Sequence, residues 1–194
     1  MKTVLRTEPL ALGPVTVADA NAVFEYCQDP ELQACVPVPV PYQRSDADHF
    51  TGTYATDAAT SPRSSLWAIR LTDGPAPSTG PRPLVGVIEL RFEVLGSAEV
   101  GFWLGAAHRG QGIMTEALRA VADFAFDREG LALTRLTWNA VVGNTSSAIV
   151  AQRNGFQYEG VSRGLIALRD RRVDAWRATL LRDDPRVPAP GWPL

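Results

Sequence analysis

Apolar residues at Ile113, Ala117, Val121, Phe124 and Ala125 recur in steps of three and four. That stripe predicts an amphipathic helix running from Ile113 toward Gly130, where glycine suits a left-handed cap. On both sides of it the pattern changes to that of strands. Residues 84–92 and 98–104 read as two strands joined through Leu95, Gly96 and Ser97, 135–142 as another strand, and 156–166 and 173–181 as a closing hairpin across 167–172. Asn144 is placed to cap a short helix that reaches about Asn154 and stops at Gly155. The first half is more broken. Residues 3–12, with Val4, Leu10 and Leu12, read as a strand, and Thr16 and Asp19, spaced like a capping box, open a helix to about Cys27. Ser45 and Asp48 repeat that spacing and open a second helix to about Asp57, ahead of a strand over 66–71. The predicted order is strand, two helices, three strands, helix, strand, helix, two strands. This is an α/β fold with a mixed sheet and one parallel crossover at its centre. No internal repeat is present.

Composition sharpens this division. None of the 15 prolines falls within residues 84–184, so uninterrupted helices and strands belong there. Residues 36–42 alternate Val and Pro and read as an extended arm, and 72–83 as an exposed loop. A chain of 194 residues, 45% hydrophobic, has room for a core without disulfide or metal staples. It is expected to form a single domain over 1–182 followed by a loose, proline-rich tail over 183–194. The net charge of -2 offers no basic footprint for nucleic acid. No apolar run of about 18 residues marks a membrane span and no apolar h-region marks a leader, so the expected location is cytoplasmic. Cys27, Cys35, His49 and His108 lie in separate segments, and no metal site is expected.

The run from His108 through Arg109, Gly110, Gln111, Gly112, Ile113, Met114 and Thr115 lies between a strand and the long helix. Glycines there let backbone approach a ligand, and a helix N-terminus offers unpaired N–H groups to an anion such as a diphosphate. A plain strand-to-helix turn fits the same spacing. A dinucleotide fingerprint would need a third glycine where Thr115 stands, and a nucleoside-triphosphate loop would need Gly-Lys-Ser or Gly-Lys-Thr. Gly160-Val-Ser162-Arg-Gly164 matches a nucleophile elbow, but both histidines precede it and its context is a hairpin, which excludes a serine hydrolase.

Three ordered motifs carry a family resemblance. Glu99-Val-Gly-Phe-Trp-Leu, then Arg109-Gly-Gln-Gly-Ile-Met-Thr-Glu-Ala117, then Asn144-Thr-Ser-Ser-Ala with Arg153-Asn-Gly-Phe156 and Glu159-Gly160, resemble the GNAT superfamily of acyl-CoA N-acyltransferases. The variant is similar to the RimJ/RimL branch, and the resemblance spans essentially residues 5–181. It implies a mostly antiparallel mixed sheet with splayed central strands and flanking helices, and acetyl-CoA as acyl donor. It implies that backbone N–H groups of Arg109, Gly110, Gln111, Gly112, Ile113, Met114 and Thr115 hold the pyrophosphate. Phe102, Trp103 and Leu104 on one splayed strand and Asn139 on the other would face the pantetheine arm, which adds like a strand. Asn144 resembles the family's pantetheine-contacting Asn, and a plain N-cap accounts for it equally. The sequence departs from the family where Ala107 replaces a usual Gln or Arg and Ala151 replaces a common Tyr acid.

Acetyl transfer to an amine needs a neutral amine, a stabilised carbonyl oxygen and a protonated leaving thiolate. The resemblance points to Glu99 as general base, strengthened by desolvation, and to Ser147 as the hydroxyl facing the thiolate, with Ser146 and Tyr158 as fallbacks. The implied reaction is direct attack in a ternary complex. The acceptor is open between a protein N-terminal α-amine and a small amine such as an antibiotic, polyamine or amino acid, and a non-catalytic acyl-CoA sensor fits the Ala151 departure. A homodimer is left open. Arg169, Asp170, Arg171 and Arg172 read as a solvated turn, and Trp67, Trp103, Trp138 and Trp176 as core, with Trp103 and Trp138 flanking the gap.

Overall fold

The computed structural model describes residues 3–73 and 80–194, so part of the expected loop over 72–83 lies outside the described residues. Eight strands form one sheet: β1 (Leu5–Arg6), β2 (Leu10–Gly13), β3 (Ser64–Leu71), β4 (Gly86–Phe92), β5 (Ser97–Leu104), β6 (Arg135–Val141), β7 (Gln157–Leu168) and β8 (Arg171–Leu181). Their spatial order is β1-β2-β3-β4-β5-β6-β8-β7, and only β5 and β6 run parallel. This is the mixed, mostly antiparallel sheet expected.

Helices cover both faces. On one face α5 (Ile113–Phe126) and α6 (Thr145–Arg153) pack Leu118, Val121 and Ala148 against Ile88, Leu90, Val100, Leu136 and Trp138. On the other face lie α1 (Ala20–Tyr26), α2 (Pro30–Cys35), α3 (Arg44–His49) and α4 (Ala55–Thr60), with Val23, Leu32, Ala47 and Ala55 packed on Leu66, Ala68 and Val87. Burial of each Leu or Val contributes about 1.5–3 kcal/mol relative to exposure. A buried bidentate pair pins the second layer: Arg70 of β3 donates to both carboxylate oxygens of Asp19 at 2.8 Å, and Asp19 also accepts from Thr16 N–H at 2.8 Å.

Several elements differ from the sequence expectation, each for a local reason. The first strand is a small hairpin, closed by Thr7 and Leu10 bonding each other's backbone at 2.9 and 3.0 Å. Helix α2 was not predicted. Its cap is Asp29, accepting from Glu31 N–H at 3.0 Å, with Pro30 at the first helical position. The second expected helix starts at Arg44, where Asp46 accepts from Gln43 N–H at 2.7 Å, and it runs through a π turn, Phe50–Tyr54, into α4. Helix α5 stops at Phe126, short of Gly130. That glycine has no left-handed φ and serves a close approach instead: a Cβ there would sit 2.1 Å from the Phe124 carbonyl oxygen.

The C-terminal segment, expected to be loose, packs onto the α6 side of the sheet. The Trp192 ring lies 5.4 Å from Trp138 and 5.5 Å from Tyr158, and its Nε1 donates to Phe156 O at 3.2 Å. Ala189 is buried and exchanges two hydrogen bonds with Gln152. Prolines cannot donate to a ladder, but they leave apolar neighbours free to pack.

Candidate active site

Strands β5 and β6 pair for four residues only, from Ser97 opposite Arg135 to Val100 opposite Trp138. Beyond that point each follows a different partner. β5 stays with β4 up to Leu104, and β6 stays with β8 up to Val141. Residues 101–104 and 139–141 therefore border an open wedge, and Phe102, Trp103, Leu104 and Asn139 are all half-buried along it. Asn139 Oδ1 is buried with no hydrogen-bond partner. Buried amide oxygens are nearly always paired, so this one marks a place for an N–H donor.

The glycine run lies at the mouth of the wedge. Gly110 and Gly112 have φ of +75° and +80°, and a Cβ on either would meet nothing within 4 Å. Glycine is needed there for backbone conformation, not for space. The first helical bond of α5 joins Glu116 N–H to Gly112 O at 3.0 Å. The N–H groups of Gly112, Ile113, Met114 and Thr115 thus lack intrahelical acceptors and project from the positive end of a 14-residue helix. Ile113 and Met114 bury their side chains in the core and hold this end in place. Gln111 is exposed and folds its amide back onto Ala107 O at 2.9 Å.

Arg109 does not join the row of free amides. Its N–H donates to Ala106 O at 3.2 Å, and its guanidinium bonds Leu104 O, Asp29 and Glu31, tying the loop to the start of α2. Tyr26 holds the other side of the loop. Its ring lies against Gly105, where a Cβ would come within 2.4 Å, and its hydroxyl meets His108 Nε2 at 3.1 Å.

Asn144 acts as N-cap of α6, its Oδ1 accepting from Ser147 N–H at 3.2 Å. Ser147 is half-buried, and its Oγ accepts from Trp138 Nε1 at 3.0 Å. With the oxygen occupied in this way, the hydroxyl proton is free to point elsewhere. Of the fallbacks, Ser146 is exposed and the Tyr158 ring lies tilted against Trp192.

Glu99 lies on the other face, opposite Arg91, and accepts from Arg91 Nη2 at 2.6 Å. The desolvation expected there is not met, since the Glu99 side chain is 30% exposed. The buried carboxylate is Glu89, 8% exposed, which accepts from Tyr54 OH at 2.7 Å and from Arg91 Nη1 at 3.3 Å. Sequence reasoning missed Glu89. Its signal was the pair of charges at Glu89 and Arg91, two residues apart in an otherwise apolar strand and hence on one face. Arg169 is exposed, as expected of that turn, and also donates to Gln33 O at 2.8 Å, which links the β7–β8 turn to α2. Among the described residues no group of three or more His, Cys, Asp or Glu is arranged for a metal, and no helix is long and apolar enough to cross a membrane.

A parallel pair that opens beside an unpaired helix start defines the class, and the comparisons agree. The sequence matches the acetyltransferase (GNAT) domain over residues 10–157, and the chain belongs to that family. It is 44% identical over 80 residues to a ribosomal-protein-serine acetyltransferase of Escherichia coli K12, an alignment spanning 40% of this chain and 43% of that relative. The chain thus spans less than half the length of that relative. It is 25% identical over 180 residues, 92% of this chain and 96% of the other, to an uncharacterized N-acetyltransferase of Bacillus licheniformis. The Mycobacterium smegmatis RimJ structure, solved with a CoA disulfide, superimposes with a TM-score of 0.74 at 22% identity, covering 92% of this chain and 86% of that one. At that identity the likeness concerns the fold.

Proposed function

We propose that the chain transfers the acetyl group of acetyl-CoA to a protein N-terminal α-amine by direct attack in a ternary complex. The observation that carries this reading is the end of β5–β6 pairing at Val100 and Trp138, beside the free amides that open α5. The residues present fit the donor. The amides of Gly112, Ile113, Met114 and Thr115 suit a pyrophosphate, with Gly110 and Gln111 in the approach to them. The free backbone edge of Phe102, Trp103 and Leu104 and the orphaned Asn139 Oδ1 suit the pantetheine amides. Asn144 uses its oxygen as a cap and keeps its amide nitrogen for the same arm.

Bound acetyl-CoA supplies an activated acyl group in its thioester. Glu99 Oε2 takes the proton of the acceptor amine, while Oε1 stays on Arg91. Ser147, whose oxygen is held by Trp138 Nε1, turns its proton toward the leaving sulfur and supplies the hydroxyl that Ala151 lacks. A protein N-terminus as acceptor is supported by the name of the Escherichia coli relative.

The test has two stages. Acetyl-CoA at a hundredfold excess over its dissociation constant should stabilise the chain by about 2.7 kcal/mol, and an unchanged melting temperature would remove the donor assignment. Thiol release is then measured with N-terminal peptides and small amines. Release with peptides alone supports the proposal, release with small amines alone moves the acceptor class, and no release in spite of binding favours a sensor.

A further inference from the structure

The buried Glu89 has no part in the mechanism above, yet it lies beside the proposed base on the same face of the β4–β5 pair. Four odd-numbered positions of the β4–β5 hairpin, two on each strand, meet there. Glu89 is opposite Gly101, and Arg91 is opposite Glu99, while the even-numbered Ile88, Leu90, Ala98 and Val100 enter the other core. The Arg91 guanidinium lies between the two carboxylates, 2.6 Å from Glu99 Oε1 and 3.3 Å from Glu89 Oε2. It occupies the space above Gly101, where a Cβ would stand 2.9 Å from Nη1. Gly101 is also the first residue beyond the last β5–β6 pair.

We infer that Glu89 is a positioning residue for Glu99, acting through Arg91 and fixed by Tyr54; this rests on the reading of Glu99 as the base. An Arg–Glu pair whose side chains are 46% and 30% exposed is weakly held on its own, because each partner exchanges readily with water. Glu89 changes that. Its buried charge must be matched, and among the described residues the cation bonded to it is Arg91, with Tyr54 donating to its second oxygen. The Tyr54 hydroxyl is pushed well above its ordinary range by burial and by its bond to Glu89, so it remains a donor at every working pH. The guanidinium is thereby anchored on its Nη1 side and offers Nη2 to Glu99. Glu99 Oε1 is occupied and Oε2 is left for the amine proton.

The charged and titratable groups on this face around Glu99 are Arg91 and Glu89 of β4, Arg135 of β6, Arg177 of β8 and Tyr54 of the helical layer, with Glu93 beyond the end of β4. Two substitutions in this set should move Glu99 in opposite directions. Glu89→Gln removes the competing charge, so Arg91 binds Glu99 alone and the carboxylate is held ionised to lower pH. Tyr54→Phe takes a donor from Glu89, which draws Arg91 back and lets Glu99 protonate at higher pH.

The experiment is carbon-detected NMR titration of the Glu99 carboxyl in the full chain without substrates, alongside kcat/KM profiles with an active acceptor. Shifts of about half a pH unit or more are expected, downward for Glu89→Gln and upward for Tyr54→Phe. The plateau rate of Glu89→Gln should fall about three- to tenfold while KM for acetyl-CoA stays within twofold. Unmoved midpoints, or shifts of the same sign in both variants, overturn the inference. Glu99→Gln separates the two levels. If it leaves the acid limb of the rate profile in place, the base assignment fails. If it removes that limb while Glu89→Gln leaves the Glu99 midpoint untouched, only the positioning role fails.

Discussion

Replacing Gly112 by Ala tests the amide cradle with the fewest side effects. The added methyl meets nothing within 4 Å, so no clash contributes, and the penalty comes from φ of +80° alone. A non-glycine residue in that region costs about 1–2 kcal/mol. Two limits bound the response. If the backbone stays as it is, the whole cost appears as lost stability and acetyl-CoA binds unchanged. If the loop relaxes to negative φ, stability recovers but the amides of α5 turn away, and binding must restore the strain. The stability loss and the binding loss should therefore sum to about 1–2 kcal/mol, and complete relaxation weakens the dissociation constant roughly 5- to 30-fold. Urea unfolding without ligand and calorimetry with acetyl-CoA measure the two terms. A variant with wild-type stability and wild-type affinity would refute the reasoning, since the left-handed turn would then carry no constraint.

Three further perturbations probe the frame around the wedge. Asp19→Ala leaves Arg70 buried without its bidentate partner and should cost about 3–5 kcal/mol in urea unfolding, whereas Asp19→Leu with Arg70→Met should recover most of it; a loss below 1 kcal/mol would show the pair to be ornamental. Burial pushes the Cys27 thiol up to about 11 from an ordinary 9, so the native state holds its proton where the unfolded chain releases it. The stability this provides is complete below pH 9 and is lost as pH rises toward 11, by up to about 2–3 kcal/mol, and Cys27→Ala should flatten that decline. Deleting residues 185–194 uncovers Phe156 and Trp138 and removes the Trp192 and Ala189 hydrogen bonds, lowering the melting temperature by about 5–10 °C; an unchanged value would restore the view of a loose tail.

The parts of this fold that could be read from the sequence are those where the determining contacts are local. The Gly110–Gly112 turn and the stripe of α5 lie within one stretch of chain, and both hairpins of the second half carry their own turns. Helix α2 has six residues, too few for a hydrophobic period, and only the Asp29-Pro30 pair marks it. The packed tail escaped because its composition speaks of backbone donors lost to proline and says nothing of where Trp192 lands. Glu89 and Arg91 could be placed on one face by strand alternation, but Tyr54 reaches them across 35 positions of chain. The splayed strands came from the family resemblance alone, since no local signal says where a parallel pair ends.

The structure supplies the physical reason for that ending. Each of the two central strands pairs over a longer run with its antiparallel neighbour, seven pairs between β4 and β5 and seven between β6 and β8, against four between β5 and β6. Neighbouring strands in a sheet rotate by about 20–25°, and a strand held along its whole length by one partner carries that twist with it. The short parallel contact yields, and the wedge opens between two well-paired halves. The uninterrupted block from 84 to 184 is what allows both halves to be so fully paired, because a proline in β4 or β8 would remove ladder donors and let the central pair close. The gap is thus held open by hydrogen bonds made elsewhere in the sheet. This is why the residues at and beside it can include an orphaned Asn139 and a serine held by an indole without endangering the fold.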